Sequence, residues 1–200
     1  MSQRDRTQMR QRLAQKTAQI LLESGVRDFY AAKQKAAHQL GATDTKSLPT
    51  NSEIELALSE YQRLFHATTQ PEHLSHLREI AIEAMQFFKA FNPRLVESVL
   101  SGTADKHSVI KLHVFADTVE SVGFYLHDNK IPNKLGECRL KITTEQFQSC
   151  STYAFIVNDV QIELVVFLAK QKQIPLSPID GKPMKRADIT EVELLLNQQE

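Results

Sequence analysis

The sequence predicts an α+β protein in which an N-terminal helical bundle precedes a mixed-sheet α/β domain. Apolar residues recur at three- and four-residue steps through most of residues 7–91, which is typical of amphipathic helices. After Pro93, apolar and polar residues alternate in short β-branched segments, which is typical of strands. We therefore predict a helical domain over residues 1–92 and an α/β domain over residues 93–200.

Four segments of the first domain carry the helical period: 7–24, 28–40, 51–65 and 73–91. Gly25 and Gly41 fit helix ends, because glycine adopts the left-handed conformation that ends many helices. Asp28 and Asn51 can accept backbone N–H bonds as N-caps of the second and third helices. Pro93 restricts the residue before it and so ends the fourth helix.

The second domain alternates between the two periods. Five segments are predicted to be strands: 95–100, 109–115, 139–142, 151–157 and 160–167. Residues 118–128 and 189–196 are predicted to be helices. Asn158-Asp159 favours a hairpin turn between the last two strands, and residues 173–187 form a proline-rich loop.

Composition excludes several classes of protein. Basic and acidic residues number 24 each, so bulk charge predicts no partner. The two cysteines lack the CxxC spacing of a zinc site, and no apolar run is long enough for a signal peptide or a membrane span. We expect a cytoplasmic protein that does not enter the membrane. A surplus of basic residues before residue 47 leaves nucleic acid open as a weak alternative.

The residues with most chemistry lie between the first predicted strands. A turn at Gly102-Thr103 would expose N–H groups which, with the Thr103 hydroxyl, can hold a phosphate. Lys111 and His113 alternate onto one face of the next strand. Glu163 lies on the polar face of the strand over 160–167, where stacking could bring it to Lys111.

This layout resembles the DNA polymerase beta-like nucleotidyltransferase superfamily over roughly residues 94–168. In that family one strand ends in Gly-Ser, the next carries Asp-x-Asp, and a later strand supplies a third carboxylate. Gly102-Thr103 matches the first motif in kind and Glu163 the third, while Val109 and Lys111 stand at the acidic positions. Small uncharacterised bacterial proteins of this kind look similar to the whole chain.

The resemblance implies binding of a nucleoside triphosphate with Mg²⁺, held by carboxylates. Because Val109 and Lys111 cannot bind a metal ion, we expect a degenerate site and assign no metal ligand. Lys111 could instead hold a phosphate directly or form a salt bridge with Glu163. Catalysis, if it remains, would rest on Glu163 and His113, although His113 also fits a structural strand histidine.

A second group of basic residues lies on the proline-rich loop. Lys182, Lys185 and Arg186 fall within five residues and would suit a phosphate or an RNA backbone. The alternative is a solvated connector that packs Ile179 and Met184.

Two function classes follow from these observations. The first is a nucleotidyltransferase-like protein, catalytically degenerate, that binds a nucleotide or another phosphorylated ligand. The second is a non-enzymatic adaptor that uses the helical half to bind a protein or nucleic acid. An exposed apolar patch on the helices 51–65 or 73–91 would favour the second class.

Overall fold

A computed structural model describes residues 3–24, 28–42, 48–65, 69–105, 108–171 and 173–198. The chain is an α+β protein in which a run of helices precedes a five-stranded sheet, with further helices between and after its strands. It divides into two compact units, the first formed by residues 1–70 with 178–180 and the second by 71–177 with 181–200. The predicted change from helical to strand-like sequence pattern after Pro93 marks where the strands begin. The second compact unit already begins at Pro71.

The first unit is a bundle of three helices: α1 Gln3–Ser24, α2 Phe29–Gln39 and α3 Asn51–Phe65. Their apolar faces meet in one cluster that includes the fully buried Leu13, Ala32 and Ile54. Alanines at the contact points of α2 let the helices approach closely. The predicted N-cap of α2 is confirmed, because the Asp28 carboxylate accepts a bond from the Tyr30 backbone N–H.

The predicted N-cap of α3 is wrong by one residue. Thr50 caps this helix, since its hydroxyl accepts from the Glu53 N–H while the Glu53 carboxylate accepts from the Thr50 N–H. Asn51 is already helical, and its side chain donates instead to the Pro178 carbonyl. Gly41 follows α2 in the left-handed conformation, with φ 63°, as predicted. Gly25 lies outside the described residues.

Within the described residues, the second unit holds the remaining α-helices and the five strands of the sheet. In chain order these are α4 Thr69–Phe87, β1 Arg94–Val96, α5 Glu97–Ser101, β2 Ile110–Ala116, α6 Val119–Asp128, β3 Lys134–Lys141, β4 Phe147–Val157, β5 Val160–Leu168 and α7 Ile189–Asn197. The strand predicted over 95–100 is wrong in its second half. Glu97 turns the chain with φ 60°, so that the strand ends at Val96 and a short helix follows.

The sheet has the order β1-β2-β5-β4-β3. Neighbouring strands are antiparallel except β2 and β5, which run parallel. The predicted hairpin turn joins β4 to β5, and both Asn158 and Asp159 have positive φ. A two-residue turn with positive φ at both positions matches the right-handed twist of the strands. Asn158 and Asp159 adopt this conformation although neither is glycine.

The two faces of the sheet differ in chemistry. On one face Ile110, Leu112 and Val114 are fully buried in a core that includes Leu77 of α4 and Val192 of α7. The opposite face, which we call the charged face, carries two parallel rows of side chains. They are Lys111, His113 and Phe115 on β2, and Glu163, Val165 and Phe167 on β5. Within the described ranges no helix is long and apolar enough to cross a membrane.

The segment after β5 reaches both edges of the sheet. Leu176 donates to the Lys141 carbonyl at the end of β3. Ala187 forms a two-way backbone bridge with Leu95 of β1. This second attachment places Arg186 over the charged face, beside the rings of Phe115 and Phe167.

Candidate functional site

Lys111 and Glu163 lie side by side on the charged face. They are direct partners in the parallel ladder of β2 and β5, so their side chains leave the sheet on the same side. The Lys111 ammonium is 3.8 Å from a Glu163 carboxylate oxygen. The alternation of the two strands predicted this proximity.

A second carboxylate, absent from the sequence prediction, lies closer to the same lysine. The Glu97 oxygens are 3.0 and 3.1 Å from the Lys111 nitrogen. Glu97 follows Val96, the antiparallel partner of Lys111, and its left-handed backbone turns the carboxylate toward the lysine. Such a backbone costs about 1–3 kcal/mol in a residue other than glycine. Glutamate is uncommon with positive φ, so local sequence gave no signal for this position.

Lys111 is held as a cation between these carboxylates. Burial alone would lower the pKa of Lys111, but the charge and hydrogen bond of Glu97, followed by the charge of Glu163, raise it above its ordinary value. The Lys111 ammonium therefore stays charged at neutral pH. Because two carboxylates already surround the ammonium, it is poorly placed to hold a phosphate.

His113 occupies a dry position on the charged face. Its side chain is buried, it packs 4.7 Å from the Phe167 ring, and its Nδ1 accepts a 3.0 Å hydrogen bond from Arg186 Nε. Burial first, and then the charges of Arg186 and Lys111, lower the pKa of His113 to about 3. The imidazole is therefore neutral near pH 7, and this geometry favours the structural alternative over a general base.

Arg186 is the most unusual cation of the charged face. Its guanidinium lies 5.2 and 4.9 Å from the centres of the Phe115 and Phe167 rings. Its Nη2 is the one buried side-chain nitrogen or oxygen that has no hydrogen-bond partner among the described residues. Within the same part of the chain no carboxylate forms a salt bridge with it. Burial, followed by the charge of Arg94, lowers the pKa of Arg186.

Arg94 adds a second positive charge beside Arg186. It is the β1 partner of His113, so it belongs to the same face and the same row. One of its terminal nitrogens donates to the adjacent Pro93 carbonyl at 3.3 Å. Two guanidinium groups thus lie on one part of the face, next to a neutral histidine.

Lys182 and Lys185 were predicted to act together with Arg186, but their side chains differ in placement. Both lysines are exposed. A bridge between Leu176 and Pro183 closes a turn, and Lys182 lies at its base, where its carbonyl accepts from the Ser177 N–H. Met184 is buried, as the connector alternative predicted, and Arg186 contacts the rings of Phe115 and Phe167 on the sheet.

The Gly102-Thr103 turn lies beside α4. The backbone N–H groups of both residues donate to the Ser98 carbonyl, because the turn ends α5 instead of a strand. Gly102 lies near Leu74 and Arg78 of α4, where an added Cβ would be within 4 Å of either side chain. The two N–H groups predicted to hold a phosphate are therefore already committed to the helix end.

Arg78 is a buried arginine that sequence analysis missed. Its guanidinium donates to the backbone carbonyls of Val99, Leu100 and Leu195. These contacts tie α4 to α5 and to α7. From sequence alone, an arginine in an amphipathic helix is expected to be exposed to solvent. The structural role of Arg78 is therefore visible only in the tertiary structure.

The two histidines of α4 contact a backbone carbonyl and a glutamate. His73 Nε2 lies 3.0 Å from the Asp105 carbonyl, and His76 faces Glu79 at 3.8 Å. Among the described residues, no three His, Cys, Asp or Glu side chains are grouped to hold a metal ion.

Comparison with protein-family models, curated proteins and solved structures finds no match to this chain. The resemblance to nucleotidyltransferases therefore stays a prediction.

Proposed function

We propose that the chain is a catalytically degenerate, nucleotidyltransferase-like protein that binds a phosphorylated ligand on the charged face of its sheet. The observation that carries this proposal is the buried Nη2 of Arg186, which lacks a hydrogen-bond partner. A buried donor left unpaired costs about 1–3 kcal/mol, and more when it is charged. Such a cost is retained more readily where a ligand removes it.

The chemistry around Arg186 suits an anion with several oxygens. Arginine presents parallel N–H donors that match phosphate oxygens. The guanidinium of Arg186 packs over the rings of Phe115 and Phe167. Its Nε already donates a hydrogen bond to His113. Nη2 keeps a donor without a partner, and Arg94 supplies a second charge nearby.

The degenerate character of the site is supported by Lys111. Its ammonium lies between Glu97 and Glu163, where a divalent cation would otherwise balance the two carboxylates. A lysine held in that position repels Mg²⁺ and satisfies both acids as a salt-bridged group. We therefore expect binding without metal-dependent nucleotidyl transfer.

Calorimetric titration with pyrophosphate and with ATP, each with and without Mg²⁺, tests this function. We expect wild-type protein to bind, and Arg186→Met to lose about ten- to a hundredfold in affinity, as expected for one charged hydrogen-bonding group. Lys185→Met removes the same charge from an exposed position of the same segment, so it should bind as wild type does. Equal binding by all three proteins, or none by any, would contradict the proposal.

A specific observation also favours the adaptor as a second candidate. On α3 the side chains of Leu56, Leu64 and Phe65 are each about two-thirds exposed. Scattered exposed apolar residues are ordinary, but Leu64 and Phe65 also line a groove of about 400 Å³ with Tyr61 and Arg12.

Sedimentation velocity over a wide range of protein concentration tests whether this surface associates. Association that Leu64→Ser with Phe65→Ser abolishes would support the adaptor. A monomer at every concentration, unchanged by the double substitution, would count against self-association through α3.

A further inference from the structure

We propose that Cys138 and Cys150 form a reversible disulfide that links β3 to β4, which makes this pair a redox modification site. The two cysteines are direct partners in the antiparallel ladder of these strands. Both are free thiols in the structure. Cys150 is buried and Cys138 packs against the same apolar cluster, which also contains Phe167.

The ladder geometry brings the two residues within disulfide range. Antiparallel partners have Cα atoms about 4.5 or 5.5 Å apart, and disulfides span Cα distances of about 4.4–6.8 Å. Partners in a ladder also direct their side chains to the same side of the sheet. The disulfide can therefore form without any change in the register of β3 and β4.

A small movement of β3 is nevertheless needed. The Cβ atoms of facing residues lie about 4.5–5.5 Å apart, whereas a relaxed disulfide prefers about 3.5–4.5 Å. Since β3 is the edge strand and pairs with β4 alone in the described sheet, it is the strand that can shift. A disulfide under such strain is reduced more easily than a relaxed one, which makes the modification reversible.

Disulfide exchange with an oxidised low-molecular-weight thiol, such as glutathione disulfide, supplies the chemistry. The more exposed Cys138 attacks as a thiolate, breaks the sulfur–sulfur bond and releases one glutathione thiol. The Cys150 thiolate then attacks the Cys138 sulfur of this mixed disulfide and releases the second glutathione. The two cysteines are oxidised, one glutathione disulfide is reduced, and the two thiol protons end on the two glutathione molecules.

The surroundings favour a dithiol over a metal site. No third His, Cys, Asp or Glu side chain joins the pair to form a metal-binding group within the described residues. Burial, and then the neighbouring Cys150, raise the pKa of Cys138 to about 11. Thiolate is therefore scarce at neutral pH, and oxidation should accelerate about tenfold per pH unit below that value.

The test equilibrates the folded full-length chain with glutathione redox buffers at pH 8.5, a condition chosen for rate. Remaining thiols are then alkylated, and intact mass and peptide mapping are recorded. We expect a species lighter by two hydrogen atoms, carrying no alkyl group, whose peptides are joined between Cys138 and Cys150. Dithiothreitol should return both cysteines to the alkylated form.

Two matched variants keep the outcome decisive. Cys138→Ser and Cys150→Ser should each form no internal disulfide, and Cys138 in the second variant should accumulate the mixed disulfide with glutathione. The proposal is overturned if both wild-type cysteines stay separately alkylated at equilibrium in the most oxidising buffer. It is equally overturned if each takes up glutathione without linking to the other. Both readouts are recorded without added phosphate compounds, so neither outcome requires that a phosphorylated ligand binds at Arg186.

Discussion

Lys111 and Arg186 are two partly buried cations on the same face of one sheet, and they have opposite surroundings. Lys111 lies between two carboxylates, and its hydrogen bond to Glu97 is 3.1 Å long. Arg186 lies on two aromatic rings beside another arginine, and one of its buried nitrogens has no partner. The first cation is paired with carboxylates of the chain, whereas the second keeps one nitrogen without a hydrogen-bond partner among the described residues.

The difference shows which basic residues of a sequence are informative. A cation whose neighbours are carboxylates contributes to the fold, and its own positive charge adds little attraction for an anionic ligand. A cation buried without a carboxylate raises the free energy of the folded chain and attracts an anion. Arg78 is a third case, because it is almost fully buried and its guanidinium is satisfied by backbone carbonyls.

The largest expected effect concerns Arg78, which sets the scale for a purely structural cation. Arg78→Met removes donors from three backbone carbonyls between α4, α5 and α7. Leaving these acceptors unpaired should lower the free energy of unfolding by about 3–5 kcal/mol. Urea denaturation followed by circular dichroism measures it. A loss below about 1 kcal/mol would show that water replaces the guanidinium without cost.

The next effect concerns acid stability and His113. The folded pKa of about 3 lies below the ordinary value of 6.5, so the unfolded chain binds the proton first as the pH falls. This histidine therefore destabilises the folded state as the pH drops from 6.5 toward 3, by about 2 kcal/mol at pH 5.

His113→Gln keeps an acceptor for Arg186 and removes the titration. We expect wild type to lose about 2 kcal/mol more than this variant between pH 7.5 and pH 5. Parallel urea titrations at the two pH values measure the difference. If both proteins lose the same stability, His113 is protonated freely in the folded state and its environment is wetter than the structure indicates.

A smaller effect is expected at Lys111. Lys111→Met leaves Glu97 and Glu163 without their shared cation, which should cost about 1–2 kcal/mol at these partly exposed positions. The two carboxylates would then form a new site for Ca²⁺ or Mn²⁺, so these ions should restore stability to the variant and leave wild type unchanged. The double variant Lys111→Met/Glu163→Gln is the control and should respond less.

The alkaline limb of stability checks the same salt-bridged group in the wild type. Because the folded pKa of Lys111 lies above 10.5, its contribution is fully present below that value and is lost as the pH rises through the folded value. Wild type should thus approach the stability of Lys111→Met above pH 10.5. A constant difference across that range would mean that the charge of Lys111 contributes nothing.

The smallest effect on folding is expected at Arg186. Arg186→Met removes a buried charge together with its ring contacts, and these two changes oppose each other. We expect the free energy of unfolding to change by less than about 1 kcal/mol in the absence of ligand. A loss as large as that of Arg78→Met would place Arg186 among the structural cations and remove the contrast with Lys111.

Several features of this site follow from sequence and several do not. Alternation along β2 and β5 placed Lys111 and Glu163 on one face, because strand period depends only on local pattern. Glu97 escaped notice because its left-handed backbone follows from the junction of β1 and α5, which no local propensity encodes. The same junction explains why the Gly102 turn is predicted at a strand end, whereas it ends α5 in the structure.

The segment 173–187 illustrates a different limit. Its prolines and glycine predicted a loop, and its three cations predicted a shared site. The bridge between Ala187 and Leu95 places the neighbouring Arg186 beside β1, and that bridge joins residues far apart in the sequence. Long-range pairing therefore decided which cation reaches the sheet.

The side-chain resonances of arginine test the central claim most directly. In ¹⁵N-labelled protein, the Nε–Hε signal of Arg186 can be assigned by its loss in Arg186→Met and followed as pyrophosphate is added. We predict a saturating shift of this signal and of the Arg94 signal, while the Arg78 signal stays in place as an internal reference. A titration in which the Arg186 signal does not move, or moves no more than that of Arg78, would contradict the account of Arg186 as a ligand-binding cation.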